Sequence, residues 1–110
     1  MRPITDNEVT VEDLAERLRG DDGLVVLDVR EPWEVELCHI GGSLHIPLGQ
    51  LPTAVAALPR DRDIAVLCHH GMRSAHATQW LRTQGFDRAI NLAGGIDAWA
   101  RRIDPTMKVY

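Results

Sequence analysis

One phenylalanine and one tyrosine occur among 110 residues, too few to build the stacking platforms that hold single-stranded nucleic acid. A basic stripe is missing as well. The net charge is −4 and the pI is near 5.6, whereas a phosphate backbone is bound by clustered cationic side chains. No apolar run approaches the length of a membrane span, and no charged-then-apolar leader is visible. The two cysteines, Cys38 and Cys68, do not make a disulfide framework. These absences predict a reduced, cytoplasmic protein that binds neither nucleic acid nor membrane. With so few aromatics, the core is expected to rest on Leu, Val, Ile, Ala and the three tryptophans. One domain is expected across residues 1–110, with its core at about 4–103 and a tail at 104–110.

What is present alternates between strand and helix signals. An edge strand is expected near Ile4. Thr10, followed by Glu12 and Asp13, reads as an N-cap with an acidic first turn. Val11, Leu14, Ala15 and Leu18 then mark one face of a helix that stops at Gly20. Beyond an Asp21-Asp22-Gly23 turn, Leu24-Val25-Val26-Leu27 is a continuous apolar run suited to a strand buried on both faces. Pro32 is placed to open a short helix through Leu37. Cys38 to Ser43 reads as a loop, and Leu44-His45-Ile46 as a short strand closed by Pro47. Leu51, Val55 and Leu58 form a helical stripe ended by Pro59. Ile64 to Leu67 is the central strand. A helix with Ala77, Trp80 and Leu81 on one face follows Ser74 and stops at Gly85. Ala89 to Leu92 is the last strand, Gly94-Gly95 a tight turn, and Ile96, Trp99 and Ile103 place a final helix on the core. This order predicts an α/β domain around a mostly parallel sheet. Ligands of such sheets bind beyond the carboxyl ends of the strands, which gathers Asp28, Arg30 and Cys68 at one rim.

The central strand runs directly into Cys68-His69-His70-Gly71-Met72-Arg73-Ser74. A cysteine between a strand end and a helix N-terminus sits among unpaired N–H groups, at the positive end of the helix dipole. Such a place holds an anion and favours a thiolate. Gly71 frees the backbone to curl, and Arg73 adds a permanent positive charge to orient an anionic ligand. The plainer reading is a small buried hydrophobe, but a structural turn has no need of an arginine or a histidine pair. Cys68 is therefore the candidate nucleophile and His69, His70, Gly71, Met72, Arg73 and Ser74 the candidate anion-binding loop. Asp28 and Arg30 would support the rim, and for Arg30 a salt bridge to Asp28 or Glu31 ranks ahead of substrate contact. For His69 and His70, substrate hydrogen bonds and plain exposure to solvent weigh about equally. Cys38-His39 and Cys68-His69-His70 lack the chelating spacing of structural zinc sites, so neither a metal nor a cofactor is expected.

Four stretches carry a resemblance: Leu27-Asp28-Val29-Arg30-Glu31, His39-Ile40 with Gly42, the Cys68 to Ser74 loop, and Asn91-Leu92-Ala93-Gly94-Gly95-Ile96-Asp97-Ala98-Trp99. In this order and spacing they resemble the rhodanese-like sulfurtransferases over nearly the whole chain. The resemblance implies a single rhodanese-like domain, a five-stranded sheet with helices on both faces. It implies that Cys68 takes a sulfane sulfur from a donor such as thiosulfate, holds it as a persulfide, and passes it to cyanide or a thiol. The partners would be small-molecule donors and acceptors, or a protein sulfur donor or acceptor. Phosphatase relatives place five residues between the cysteine and the arginine. Here His69 to Met72 are four, the sulfurtransferase length. The alternatives are a sulfur-relay carrier between a cysteine desulfurase and a biosynthetic acceptor, a phosphatase or arsenate reductase, and an inactive binding module. Cys38 stands where the family commonly has glycine, Gly41 where it has proline, and Val35 where it has an aromatic residue. Cys38 reads as loop packing, with resolution of the persulfide as a disulfide as its alternative role.

Overall fold

The computed structural model of the protein describes residues 7–20 and 22–110. The edge strand expected near Ile4 and the first residue of the Asp21-Asp22-Gly23 turn lie outside them. Strands are β1 (Glu8–Val9), β2 (Val25–Asp28), β3 (Leu44–His45), β4 (Ile64–Leu67) and β5 (Ala89–Leu92). Helices are α1 (Val11–Arg19), α2 (Pro32–Leu37), α3 (Leu51–Ala54), α4 (Met72–Thr83) and α5 (Gly95–Arg102). The five strands form one sheet in the order β1-β5-β4-β2-β3, and every pairing is parallel rather than mostly so. A parallel pair requires a crossover, and the helices that supply the crossovers cover both faces.

Central strand β4 shows why the sheet is buried on both sides. Ile64 and Val66 face a layer with Leu51, Ala77, Leu81 and Phe86, while Ala65 and Leu67 face one with Leu14, Ile96 and Trp99. Of the three tryptophans only Trp99 is buried; Trp80 is half-buried and Trp33 is 60% exposed. The single phenylalanine, Phe86, takes the core place instead, at 1% exposure. Thr10 caps α1 as expected, accepting from the Asp13 N–H at 3.1 Å.

Two elements differ from expectation. The stripe from Leu51 to Leu58 is not one helix but α3 between 3₁₀ turns at Leu48–Gln50 and Val55–Ala57. Pro52 is tolerated only in a first turn, so α3 starts there, and Pro59 holds Leu58 extended at ψ 145°. The helix expected after Ser74 begins earlier, at Met72. Gly71 at φ +108° turns the chain and serves as the N-cap, so Met72, Arg73 and Ser74 form a first helical turn. None of the helices among the described residues is long and apolar enough to cross a membrane.

Candidate active site

Cys68 follows β4 by one residue and continues its alternation, so its side chain lies among the residues of the α3/α4 layer, at 1% exposure. Its Sγ accepts a hydrogen bond from the Gly71 N–H at 3.1 Å and lies 3.4 Å from Ser74 Oγ. Ser74 Oγ is also 2.5 Å from Asn91 Oδ1, and its one proton serves one of the two at a time. Asn91 is held by its own Nδ2, which donates to the Gly71 carbonyl at 3.2 Å. The first amides of α4 have no acceptor inside the helix and add the positive end of its dipole.

The carbonyls of the loop are drawn the other way. Cys68 O accepts from the Ile96 N–H at 2.9 Å and His69 O from the Asp97 N–H at 3.0 Å. N–H and C=O oppose each other across a trans peptide, so the His69 and His70 amides are aimed away from α5. This close approach is what Gly95 provides: at φ +61°, a Cβ there would lie 2.5 Å from both the Cys68 and the His69 carbonyl oxygens.

Asp28 ends β2 beside the β4 terminus, and Arg30 folds back onto it. Both are at 0% exposure. Arg30 Nε donates to Asp28 Oδ1 at 3.0 Å and Nη2 to Oδ2 at 2.7 Å. Nη2 also reaches the Cys38 carbonyl at 2.7 Å, while Nη1 reaches the Glu34 carbonyl at 3.2 Å and Tyr110 Oη at 2.9 Å. Burial opposes its charge, but the hydrogen bonds to Asp28 and Tyr110 outweigh that and raise its pKa. Arg30 thus pairs with Asp28, and Cys38, at 8% exposure, lies in the apolar layer of Leu14, Ile96 and Trp99.

Arg73 is a different arginine. Its Nη1 and Nη2 form a bidentate pair with Glu34 Oε1 and Oε2 at 2.7 and 2.8 Å. Glu34 is buried at 3% and also accepts from the Glu31 N–H at 2.9 Å and from the Tyr110 hydroxyl at 2.8 Å. Arg73 first, and these neutral donors after it, hold the Glu34 pKa down to about 2 against the cost of burial. Tyr110 is pushed up to about 12, chiefly by burial.

The two histidines divide. His69 is half-buried, its ring flat on Tyr110 with centroids 3.9 Å and planes 6° apart, and its Nε2 is buried with no hydrogen-bond partner among the described residues. Burial, then the neighbouring His70, lowers the His69 pKa. His70 is exposed, 3.9 Å from the Asp97 carboxylate. Among the described residues His69, His70 and Asp97 bring one ligand atom each within 4.8 Å of one another, the one grouping that could hold a metal ion. Glu34, Asn91 and Tyr110 were missed in the sequence. Asn91 carries a signal, an amide inside an apolar strand; Glu34 and Tyr110 carry none.

A family model described as the rhodanese-like domain matches residues 10–102. The chain is 38% identical over 95 residues to a sulfurtransferase of Allochromatium vinosum, covering 86% of this chain and 89% of that protein. It is 35% identical over 97 residues to YrkF, a candidate sulfur carrier protein of Bacillus subtilis, covering 88% of this chain but only 52% of YrkF. Among solved structures, a rhodanese-related protein from Thermoplasma volcanium superposes with a TM-score of 0.81 at 35% identity, over 88% of this chain and 93% of that one.

Proposed function

This chain belongs to the rhodanese-like domain family, and on that premise we propose that it is a sulfurtransferase carrying a sulfane sulfur as a persulfide on Cys68. The observation that carries this reading is the Gly71 N–H on Cys68 Sγ at 3.1 Å, at the N-terminus of α4. A fixed donor aimed at the sulfur stabilises negative charge there without reorganisation. In the first step the Cys68 thiolate attacks the outer sulfur of a donor such as thiosulfate. The donor's S–S bond breaks and sulfite leaves with the bonding pair. In the second step cyanide or a thiolate attacks the terminal sulfur, and the Cys68 thiolate is regenerated.

The geometry supports roles for the surrounding residues. Arg73 has five N–H groups and commits two of them to Glu34, so the rest are available to an anionic donor. His69 to Ser74 frame the sulfur, and His70 at the surface meets what approaches. Asp28 and Arg30 support the rim from beneath. Four residues between Cys68 and Arg73 leave less room for a tetrahedral phosphate than five would, which speaks against phosphatase chemistry.

Thiocyanate release from thiosulfate and cyanide tests the reading. Wild type should turn over with ping-pong kinetics, and Cys68→Ser should fall to background. If wild type releases no thiocyanate, and no extra sulfur mass appears on Cys68 after incubation with a desulfurase and cysteine, the reading is wrong. The likeness to YrkF favours a second reading, a relay carrier serving protein partners. Turnover that depends on a protein acceptor, with small thiols and cyanide inert, would select it.

A further inference from the structure

Tyr110 is 76 residues from Glu34 and 80 from Arg30 in the chain, yet its hydroxyl joins them. On one side stands Arg30, immobile because its remaining N–H groups are engaged at Asp28, Cys38 and Glu34. On the other stands the Glu34 carboxylate, which sets the plane of Arg73. A glutamate carboxylate turns easily about its last torsion. Besides Arg73, two donors pin it: the Glu31 N–H on Oε1 and the Tyr110 hydroxyl on Oε2. Arg73 lies in the first turn of α4, the helix whose N-cap Gly71 donates its N–H to Cys68 Sγ. An error in its direction is therefore felt at the sulfur.

We propose that Tyr110 is a positioning residue, which fixes the direction in which Arg73 presents its uncommitted N–H groups to the anionic donor. This rests on the sulfurtransferase reading of Cys68. Tyr110 stays protonated throughout the neutral range, since its pKa is pushed up to about 12, so it remains a donor to Glu34. Its ring has a separate task, covering His69 with Trp33 edge-on behind it at 5.9 Å. Hydroxyl and ring can thus be tested apart.

Tyr110→Phe keeps the ring and removes the hydroxyl. Two readouts are measured: KM and kcat for thiosulfate, and the rates of Cys68 alkylation by iodoacetate, an anion, and by iodoacetamide, which is neutral. Tyr110→Phe should raise KM about three- to tenfold with kcat within about twofold. The ratio of iodoacetate to iodoacetamide rates should fall by a similar factor, with the iodoacetamide rate nearly unchanged. A general loosening would move both reagents together, and that result overturns the proposal, as does an unchanged ratio. Alkylation does not require sulfur transfer. A wild type that turns over while Tyr110→Phe leaves the ratio intact removes only the positioning role. A shifted ratio in a protein that never transfers sulfur supports the anion-directing role of Tyr110 and removes only the sulfurtransferase reading.

Discussion

Two arginine–carboxylate pairs lie within one network and teach opposite lessons. Arg30 and Asp28 are wholly buried, and every N–H of the guanidinium has an acceptor. Such an arginine has nothing left to offer a ligand; it joins β2, α2, the Cys38 loop and Tyr110 beneath the site. Arg73 and Glu34 are joined by two bonds of similar length, but the Arg73 side chain is 37% exposed and, among the described residues, part of its donor set is uncommitted. A saturated arginine holds architecture and an unsaturated one at a mouth is free to hold substrate. The sequence reading also sets the two apart, ranking a salt bridge to Asp28 or Glu31 ahead of substrate contact for Arg30 and turning Arg73 toward an anionic ligand; the buried Arg30–Asp28 pair is that salt bridge.

Removing each arginine should separate the two roles. Arg30→Met leaves the Asp28 carboxylate buried without its partner, which typically costs about 3–5 kcal/mol, a large share of a small domain's stability. Urea unfolding should show that loss. A cost below about 1 kcal/mol would mean that water or a neighbour readily replaces the guanidinium. Arg73→Lys keeps the charge beside Glu34 but loses the planar fork. Stability should stay within about 1 kcal/mol of wild type, while KM for thiosulfate rises about tenfold. If the lysine variant binds thiosulfate as well as wild type, Arg73 serves only to neutralise Glu34 and the division between the arginines fails.

Much of the fold is legible because its punctuation is local. Pro32 and Leu37 bound α2, Gly20 ends α1, and the apolar runs of β4 and β5 lie where their composition puts them. The strand Leu24 to Leu27 is displaced by one residue, to Val25–Asp28, since an unbroken apolar run has no alternation to set its ends. The start of α4 was hidden because its cap is a left-handed glycine rather than a serine or aspartate, and Met72-Arg73-Ser74 shows no apolar period. At the site, the residues from Cys68 to Ser74 are contiguous and legible together. Glu34 and Tyr110 are not, because their roles exist only once α2 and the tail have been brought to the loop. The tail beyond Asp104 has no periodicity at all, yet Met107 and Tyr110 pack back on the core.

A further effect should be revealed by acid at the outer pair. The Glu34 pKa is about 2 in the fold against an ordinary 4.5, so the folded state binds its proton more weakly than the unfolded chain does. Its stabilisation is complete above about pH 4.5 and is lost as pH falls through about 2. The loss is on the order of 2 kcal/mol once screening at half-exposed Arg73 is allowed for. Other carboxylates contribute to any acid transition. Asp22 is lowered by Arg17, and Asp63 by Arg88 and Arg17 despite its burial. The informative quantity is therefore the stability gap between wild type and Glu34→Gln, followed from pH 7 to pH 2. Glutamine cannot ionise, so the gap should narrow as wild type takes up its proton. A gap that is unchanged at pH 2 would mean that Glu34 contributes through shape and neutral hydrogen bonds. The two arginine pairs would then differ in depth and not in electrostatic character.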